Sequence, residues 1–308
     1  MGKFGIGQGV RREEDPRLLT GRGYYVNDVN LPKQAYTHIL RSPHAHADIR
    51  SIDTTAAKAA PGVLAVFIGA DVVADGLGFP GMPAKWKRPD GQPMKYRPQP
   101  PLATDRVRYV GDPVAMVIAE TINQARDAAE LIDIDFNMLP SITDTAQTVE
   151  ADAPLVWDDY PDNISGMFQS GDADAADAAL SGAAHVIKRR FVISRVFANY
   201  MEPRGAIGDY DPREDRYTLY ADVQYPHRVR QVLAEKIFRI PEQNIRVVSR
   251  DVGGGFGTKG WQYAEHRLTL WAAKKIGRPV KWSAERSEAI QGDEHGRDNV
   301  TEAELAFD

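Results

Sequence analysis

Apolar and polar residues follow strand-like patterns in several short stretches of the first half of the chain. Residues 36–40, 63–68 and 114–119 are alternating or continuous apolar runs of strand length. Alanine-rich patterns predict a helix at residues 54–60, between the first two of these stretches, and another at residues 123–131, after the third. The first half is therefore expected to mix short strands with helices.

A further stretch, residues 132–136, alternates apolar and acidic side chains. The alternation predicts a half-buried strand whose Asp133 and Asp135 face solvent and do not form an acid/base pair. Strand, helix and strand in this order predict an α/β unit, which we expect to occupy residues 1–148.

Prolines interrupt regular structure between Gly76 and Pro101. Proline excludes a helix interior or a central strand at each of its positions. A loop of this length is usually functional or packs against another surface. The prolines lie at positions 80, 83, 89, 93, 98, 100 and 101.

The second half begins with an acidic, alanine-rich connector at residues 149–185, and a second folding unit is predicted over residues 186–308. Helices are predicted from Pro226 onward and from Tyr263 to Ile276. The predicted strands lie at residues 187–192, 205–209, 216–223, 245–248, 279–283 and 301–307. The last alternation stops without a closing turn or tail, so we expect the chain to be the front part of a longer polypeptide.

Size and charge limit the classes of partner. The chain has 308 residues and a formal charge of −5 at pH 7, which suits about two domains. This mild acidity favours neither nucleic acid nor an anionic membrane as a partner. No apolar run has transmembrane length and the first residues lack a signal-peptide pattern, so a cytoplasmic location is expected.

Cysteine is absent from the sequence. The chain therefore cannot hold a disulfide, a thiolate-bound zinc or a cysteine-ligated iron–sulfur cluster, and it cannot use a cysteine nucleophile. A redox role would have to come from a bound organic or organometallic cofactor.

The most informative stretch is GGGFGTKG, residues 253–260, here called the glycine loop. Glycines at this density let a ligand approach the backbone and allow positive φ angles that expose consecutive N–H groups, which suits an anionic group. The alternative is a tight strand-to-helix connection without a ligand. A P-loop does not fit, because Lys259 is followed by Gly260 and not by Ser or Thr.

A dinucleotide-binding fingerprint is the rival interpretation of the glycine loop. Gly255, Gly257 and Gly260 match the spacing GxGxxG, and Glu285 lies near the end of the next predicted strand. Against it, the preceding strand carries charged residues, bulky Phe256 occupies the first variable position, and one such unit alone is visible.

Several longer motifs occur in a fixed order along the chain. In the first half these are GVRREEDPRLLTGRGYYVNDV (9–29), RSPHAHADIRSID (41–53), PGVLAVFIGADV (61–72) and PLATDRVRYVGDPVAMVIAE (101–120). In the second half they are MEPRGAI (201–207), ADVQYPHRVRQVLAE (221–235) and DVGGGFGTKG (251–260). With these motifs the sequence resembles the large subunits of the xanthine dehydrogenase/aldehyde oxidase family, the molybdenum hydroxylases. RPVKWSAERSE (278–288) and GRDNVTEAELAFD (296–308) are similar to its carbon monoxide dehydrogenase-like bacterial branch.

The resemblance implies a fold and a function. The implied fold is α+β, with an α/β hammerhead domain and its N-terminal extension at residues 1–148, a connector at 149–185 and the first, incomplete part of a molybdopterin-binding domain at 186–308. The implied function is the molybdenum-cofactor-binding subunit of an oxidoreductase that hydroxylates an aldehyde, heteroaromatic or similar small substrate with oxygen from water. The implied partners are an iron–sulfur small subunit and an FAD-binding medium subunit, assembled at full length as a dimer of heterotrimers.

The resemblance also implies site residues. The family holds molybdenum through a pterin dithiolene, often in the cytosine dinucleotide form in bacteria, so no direct protein ligand to the metal is expected. Gln224 matches the family glutamine whose amide lies near an oxo ligand of the metal; the alternative is a strand-end glutamine bonded to backbone. Phe256 and Gly257 match positions that line the metal and pterin, and Gly254 and Gly255 complete the implied cofactor-binding set.

Two departures from the family pattern matter. Gly260 stands where purine-oxidising members carry a glutamate, so xanthine is not an expected substrate. The family's catalytic glutamate has no counterpart in these 308 residues. The catalytic residue is therefore unknown, and we expect this chain alone not to catalyse hydroxylation.

Three other groups have competing interpretations. His44 and His46 are spaced to share a metal, but rings bonded to backbone are favoured. The segment at residues 202–204, Glu-Pro-Arg, is either an ion-paired turn, which is favoured, or a wall of a substrate funnel. The basic run at residues 85–88 favours subunit docking or solvation over nucleic-acid binding.

Two hypotheses remain beside the hydroxylase. The chain is alternatively a non-catalytic fragment or partner-binding piece of such a subunit. A nicotinamide-dependent dehydrogenase is the third hypothesis, and it predicts that the glycine loop binds NAD.

Overall fold

The computed structural model describes residues 5, 7, 9, 11–81 and 85–307. Residues 1–4 contribute to the prediction that there is no signal peptide, and Pro83 contributes to the prediction of an irregular segment at residues 76–101. These residues lie outside the described residues. The helices are Asp15–Leu19 (α1), Thr55–Ala59 (α2), Gly69–Ala74 (α3), Ile122–Ala129 (α4), Ala173–Gly182 (α5), Pro226–Val232 (α6, continued by the π-helical turn Leu233–Phe238), Ala264–Ile276 (α7) and Arg286–Gly292 (α8). The strands are Ala35–Arg41 (β1), Ala47–Asp53 (β2), Val63–Ile68 (β3), Arg106–Val107 (β4), Pro113–Ala119 (β5), Asp133–Met138 (β6), His185–Val196 (β7), Gly205–Asp211 (β8), Arg216–Ala221 (β9), Ile245–Val248 (β10), Val280–Ser283 (β11) and Gly296–Phe307 (β12).

Seven of the strands form one central sheet. Their order across the sheet is β10, β9, β8, β11, β1, β5 and β3. All seven residues of β5 are buried, as expected for a continuous apolar strand that is covered on both faces. The sheet is mixed, because β1 with β11 and β9 with β10 pair in parallel while the other neighbours are antiparallel.

The central sheet joins the two units that the sequence pattern separates. Ala35 of β1 lies opposite Val280 of β11, so strands from before and after the connector at 149–185 are direct neighbours. Local patterns do not indicate which distant strands pair, and this pairing was not predicted. The predicted limits of the two units, residues 1–148 and 186–308, stay predictions.

Helix α7 packs closely on β8 of this sheet. A Cβ atom at Gly208 would overlap the carbonyl carbon of Thr269 and the amide nitrogen of Leu270. Only glycine leaves room for such an approach of helix backbone to strand. This contact places the segment before α7, which holds the glycine loop, over one end of the sheet.

Two smaller sheets complete the described structure. β4, β2 and β6 form one of them, and β7 pairs antiparallel with β12 in the other, from Val196 opposite Gly296 to His185 opposite Phe307. Every residue of β7 is exposed. Among the helices in the described parts of the chain, none is long and apolar enough to cross a membrane.

Most predicted elements are confirmed, with shifted ends. Asp133 and Asp135 are exposed on β6, as the alternation predicts. The sequence patterns did not single out α1, β2, α3, β4 or α8. The pairing of β2 shifts register between Ile49 and Ser51, and α8 buries Ala289 alone, so neither of these two shows a clean apolar period. The segment from residue 76 to 101 has no helix or strand in its described part, as its prolines predict.

The Gly208→Ala substitution tests the contact between α7 and β8. We expect the variant to lose about 1–3 kcal/mol of unfolding free energy, because the methyl group would force the helix away from the strand. Gly182→Ala is the matched control, since a Cβ atom there meets nothing within 4 Å. Equal thermal stability of the two variants would contradict the close approach.

Candidate functional site

The glycine loop lies at the carboxyl edge of two parallel strands. β9 and β10 pair in parallel, with Val247 opposite Leu219, so the residues that follow both strands emerge at the same edge of the sheet. Gln224 follows β9 and the glycine loop follows β10. In open α/β sheets this edge is where ligands bind.

Gln224 is bonded to the glycine loop at two points. Its side-chain Oε1 accepts a hydrogen bond from the N–H of Gly257 at 3.0 Å, and its own N–H donates to the carbonyl of Lys259 at 2.9 Å. Because a peptide N–H needs an acceptor, the first bond fixes the amide orientation and leaves Nε2 as a donor. The structure thus brings together Gln224 and the loop that the sequence singled out.

The backbone of the loop requires its glycines. Gly254 and Gly257 have φ angles of 93° and 95°, which glycine adopts without steric cost. A Cβ atom at Gly255 would lie 2.7 Å from Oε1 of Gln224. Phe256 also has a positive φ, 48°, and its side chain is 81% exposed. A bulky residue held in this conformation with an exposed ring marks a candidate binding site.

Three consecutive peptide N–H groups of the loop lack an acceptor within the part of the chain that the structure describes. Among the described residues, none accepts a hydrogen bond from the N–H of Gly254, Gly255 or Phe256, whereas the flanking N–H groups of Gly253 and Gly257 are bonded. Free N–H groups in succession, with alternating signs of φ, form a concave donor set for an anionic oxygen. The arrangement can therefore hold a polar or anionic group against the backbone.

Behind the loop, Lys259 is buried between two carboxylates. Its side chain is 1% exposed and contacts Asp222, which is equally buried, and Oε2 of Glu202 at 3.1 Å. Its Nζ also lies 4.5 Å from the ring centroid of Tyr200. Burial raises the pKa of Asp222 to about 6 against the opposing effect of the Lys259 charge. Sequence reasoning missed Lys259 and Asp222 as a pair, because they are 37 positions apart and no local pattern links them.

The segment at residues 202–204 is ion-paired, as the favoured interpretation predicts. Oε2 of Glu202 accepts a hydrogen bond from the N–H of Gly253 at 2.6 Å. Arg204 is fully buried, with its Nε 2.5 Å from Asp293 and its Nη1 2.9 Å from Glu265. This segment therefore supports the loop from behind.

Comparison with known proteins identifies the family. Residues 20–140 match the model described as "Aldehyde oxidase and xanthine dehydrogenase, a/b hammerhead domain". Residues 156–308 match the model described as "Molybdopterin cofactor-binding domain". The chain belongs to the xanthine dehydrogenase/aldehyde oxidase family.

Relatives within this family are similar along nearly the whole chain. The nicotine 6-hydroxylase large subunit of Paenarthrobacter nicotinovorans is 37% identical over 98% of this chain and 36% of its own length. The carbon monoxide dehydrogenase large chain of Afipia carboxidovorans is 34% identical over 98% of this chain and 37% of its own. The crystal structure of quinoline 2-oxidoreductase from Pseudomonas putida 86 superposes with a TM-score of 0.86 at 37% identity, over 98% of this chain and 37% of that one. The chain thus spans a little over a third of the length of the relatives it matches.

The dinucleotide-binding interpretation does not fit this member of the family. β10, the strand before the glycine loop, is at the edge of the sheet, and α7 begins at Ala264, four residues after Gly260. A dinucleotide fold places this strand centrally and begins the helix within the glycine motif. Glu285 forms an ion pair with Arg126 at 2.5 Å and does not face the loop as a ribose ligand would.

The other residues singled out by sequence lie elsewhere. Nδ1 of His46 is 2.9 Å from the carbonyl oxygen of Pro140, and the ring of His44 packs edge-on against Phe136. Within the described residues no group of three or more potential ligands surrounds them. In the basic run, Arg88 is 3% exposed and pairs with Asp162, so the expectation of docking or solvation is wrong for this residue, which packs inside the chain.

An ion pair holds the residues that lead into the glycine loop. Arg17 donates through Nη2 to Oδ1 of Asp251 at 2.7 Å, and the N–H of Tyr24 donates to the other carboxylate oxygen, also at 2.7 Å. These hydrogen bonds, that of Arg17 foremost, lower the pKa of Asp251 to about 2. The N-terminal segment is therefore fastened to the start of the loop.

The pH dependence of stability tests this ion pair. Because the folded pKa of Asp251 is below its usual value of 3.8, its ionised form contributes stability above that value, and the contribution is lost as the pH falls through about 2. We expect Asp251→Asn to be less stable than the wild type at pH 7 and to approach it near pH 2 in thermal unfolding. Asp177→Asn, at an exposed position of α5, is the control. A deficit of Asp251→Asn that does not change with pH would contradict the ion pair.

Proposed function

We propose that this chain supplies part of the binding site for a molybdopterin cofactor in a molybdenum hydroxylase. The observation that carries the proposal is the row of three N–H groups at Gly254, Gly255 and Phe256, which have no acceptor among the described residues. They lie beside a side-chain amide that is already oriented. The family membership supports the same function. Since the chain spans about a third of the length of its relatives, the hydroxylase activity is proposed for the assembled protein to which this chain contributes.

The residues present fit such a cofactor. Molybdopterin carries a phosphate and oxygen-rich groups, which accept hydrogen bonds from backbone N–H groups. The absence of a side chain at Gly255 leaves the space beside Gln224 open. Gln224 and residues 254–257 would hold the cofactor, with no side chain of this chain as a metal ligand.

Each of these residues has a proposed task. When bound, the cofactor would supply a metal able to accept the two electrons that hydroxylation of a C–H bond releases, with water as the source of oxygen. Gln224 would donate from Nε2 to an oxygen of the bound group, because its Oε1 already accepts from the N–H of Gly257. The exposed ring of Phe256 offers an apolar wall to a substrate.

The substrate and partners are proposed at the level of class. Relatives named for nicotine and quinoline support a heteroaromatic substrate, and an aldehyde remains the other candidate. Because these 308 residues contain no cysteine, they cannot ligate an iron–sulfur cluster. The proposed electron acceptors are an iron–sulfur cluster on a separate subunit and then an FAD-binding subunit. The cytosine dinucleotide form of the cofactor and a cytoplasmic location stay predictions.

Molybdenum content tests the proposal. In protein isolated from its source, we expect about one molybdenum per chain and a marked loss in Gln224→Leu, which removes the acceptor for Gly257 and the donor for the cofactor. Gln231→Leu is the matched control, because Gln231 is exposed and its side chain donates to Glu235 on the same helical segment. Metal analysis that finds no molybdenum in the wild type, or equal contents in both variants, would refute the proposed role.

A further inference from the structure

A charged cluster lies behind the glycine loop and belongs to three different segments. Glu202 precedes β8, Asp222 follows β9, and Lys259 is part of the loop itself. Lys259 and Asp222 are each 1% exposed and Glu202 is 11% exposed. All three side chains are therefore largely shielded from solvent.

One atom of this cluster bonds both ends of the loop. Oε2 of Glu202 accepts from the N–H of Gly253 at 2.6 Å and from Nζ of Lys259 at 3.1 Å. The three free N–H groups lie between these two attachment points. The carboxylate therefore closes the loop into a ring whose open positions are residues 254–256.

Burying three charges is costly, and a well-packed apolar cluster would often be at least as stable. Charged groups in such a place are best explained by the geometry that they impose. Here the geometry includes the positive φ of Phe256, a conformation that persists only when its surroundings enforce it.

We propose that Lys259, Glu202 and Asp222 are positioning residues that hold the glycine loop in the conformation that receives the cofactor. This inference rests on the proposed function. Lys259 anchors the far end of the loop, Glu202 joins the two ends, and Asp222 fixes Lys259 while its Oδ1 accepts the N–H of Gly205 at 3.0 Å.

The test replaces Lys259 by methionine in the protein isolated with its cofactor. We expect Lys259→Met to keep its fold by circular dichroism, to lose molybdenum about tenfold faster on dialysis, and to show an altered Mo(V) electron paramagnetic resonance spectrum in the fraction that retains metal. A residue with a merely structural role would not change that spectrum. Lys274→Met, which removes an exposed pair with Asp215, is the matched control.

A second control separates positioning from stability. Ile39→Ala creates a cavity where β1 packs in the hydrophobic core. It lowers thermal stability without touching the loop. Should Lys259→Met fail to fold, Glu202→Gln carries the test, since glutamine keeps an acceptor for Gly253 and loses only the charge. Unchanged metal release and an unchanged spectrum in the folded variant would overturn the inference. A wild type without molybdenum would instead overturn the proposed function.

Discussion

The parallel pairing of β9 with β10 is the constraint on which the site depends. It brings the segments after both strands to one edge of the sheet, although they are about 30 positions apart in the sequence. Gln224 and the glycine loop meet there through two hydrogen bonds. Without this pairing, neither the oriented amide nor the row of free N–H groups would exist.

Buried ion pairs extend the support of the site into the rest of the molecule. Glu265 of α7 accepts from Arg204 and, at 2.6 Å, from Arg41 of β1. Removing one partner from such a pair typically costs about 3–5 kcal/mol, because it leaves a buried charge without compensation. The network therefore ties α7, and the loop that precedes it, to the central sheet.

Local signals made part of this structure predictable. The glycine loop and Gln224 could be singled out because glycine density and motif order are visible in the sequence, and the structure places them together. The pairing of β1 with β11 and the burial of Lys259 could not be predicted, since both depend on contacts between distant segments. Arg88 shows the same limit: its run looks basic and exposed, but Asp162, which neutralises it, lies 74 positions away.

Residue-resolved amide hydrogen exchange tests the central claim most directly. In protein freed of cofactor, the account predicts fast exchange at Gly254, Gly255 and Phe256 and slow exchange at Gly253 and Gly257, whose N–H groups are bonded. With cofactor bound, the three fast amides should become protected. Exchange at these three positions that is slow in both states, or that does not respond to the cofactor, would contradict the account.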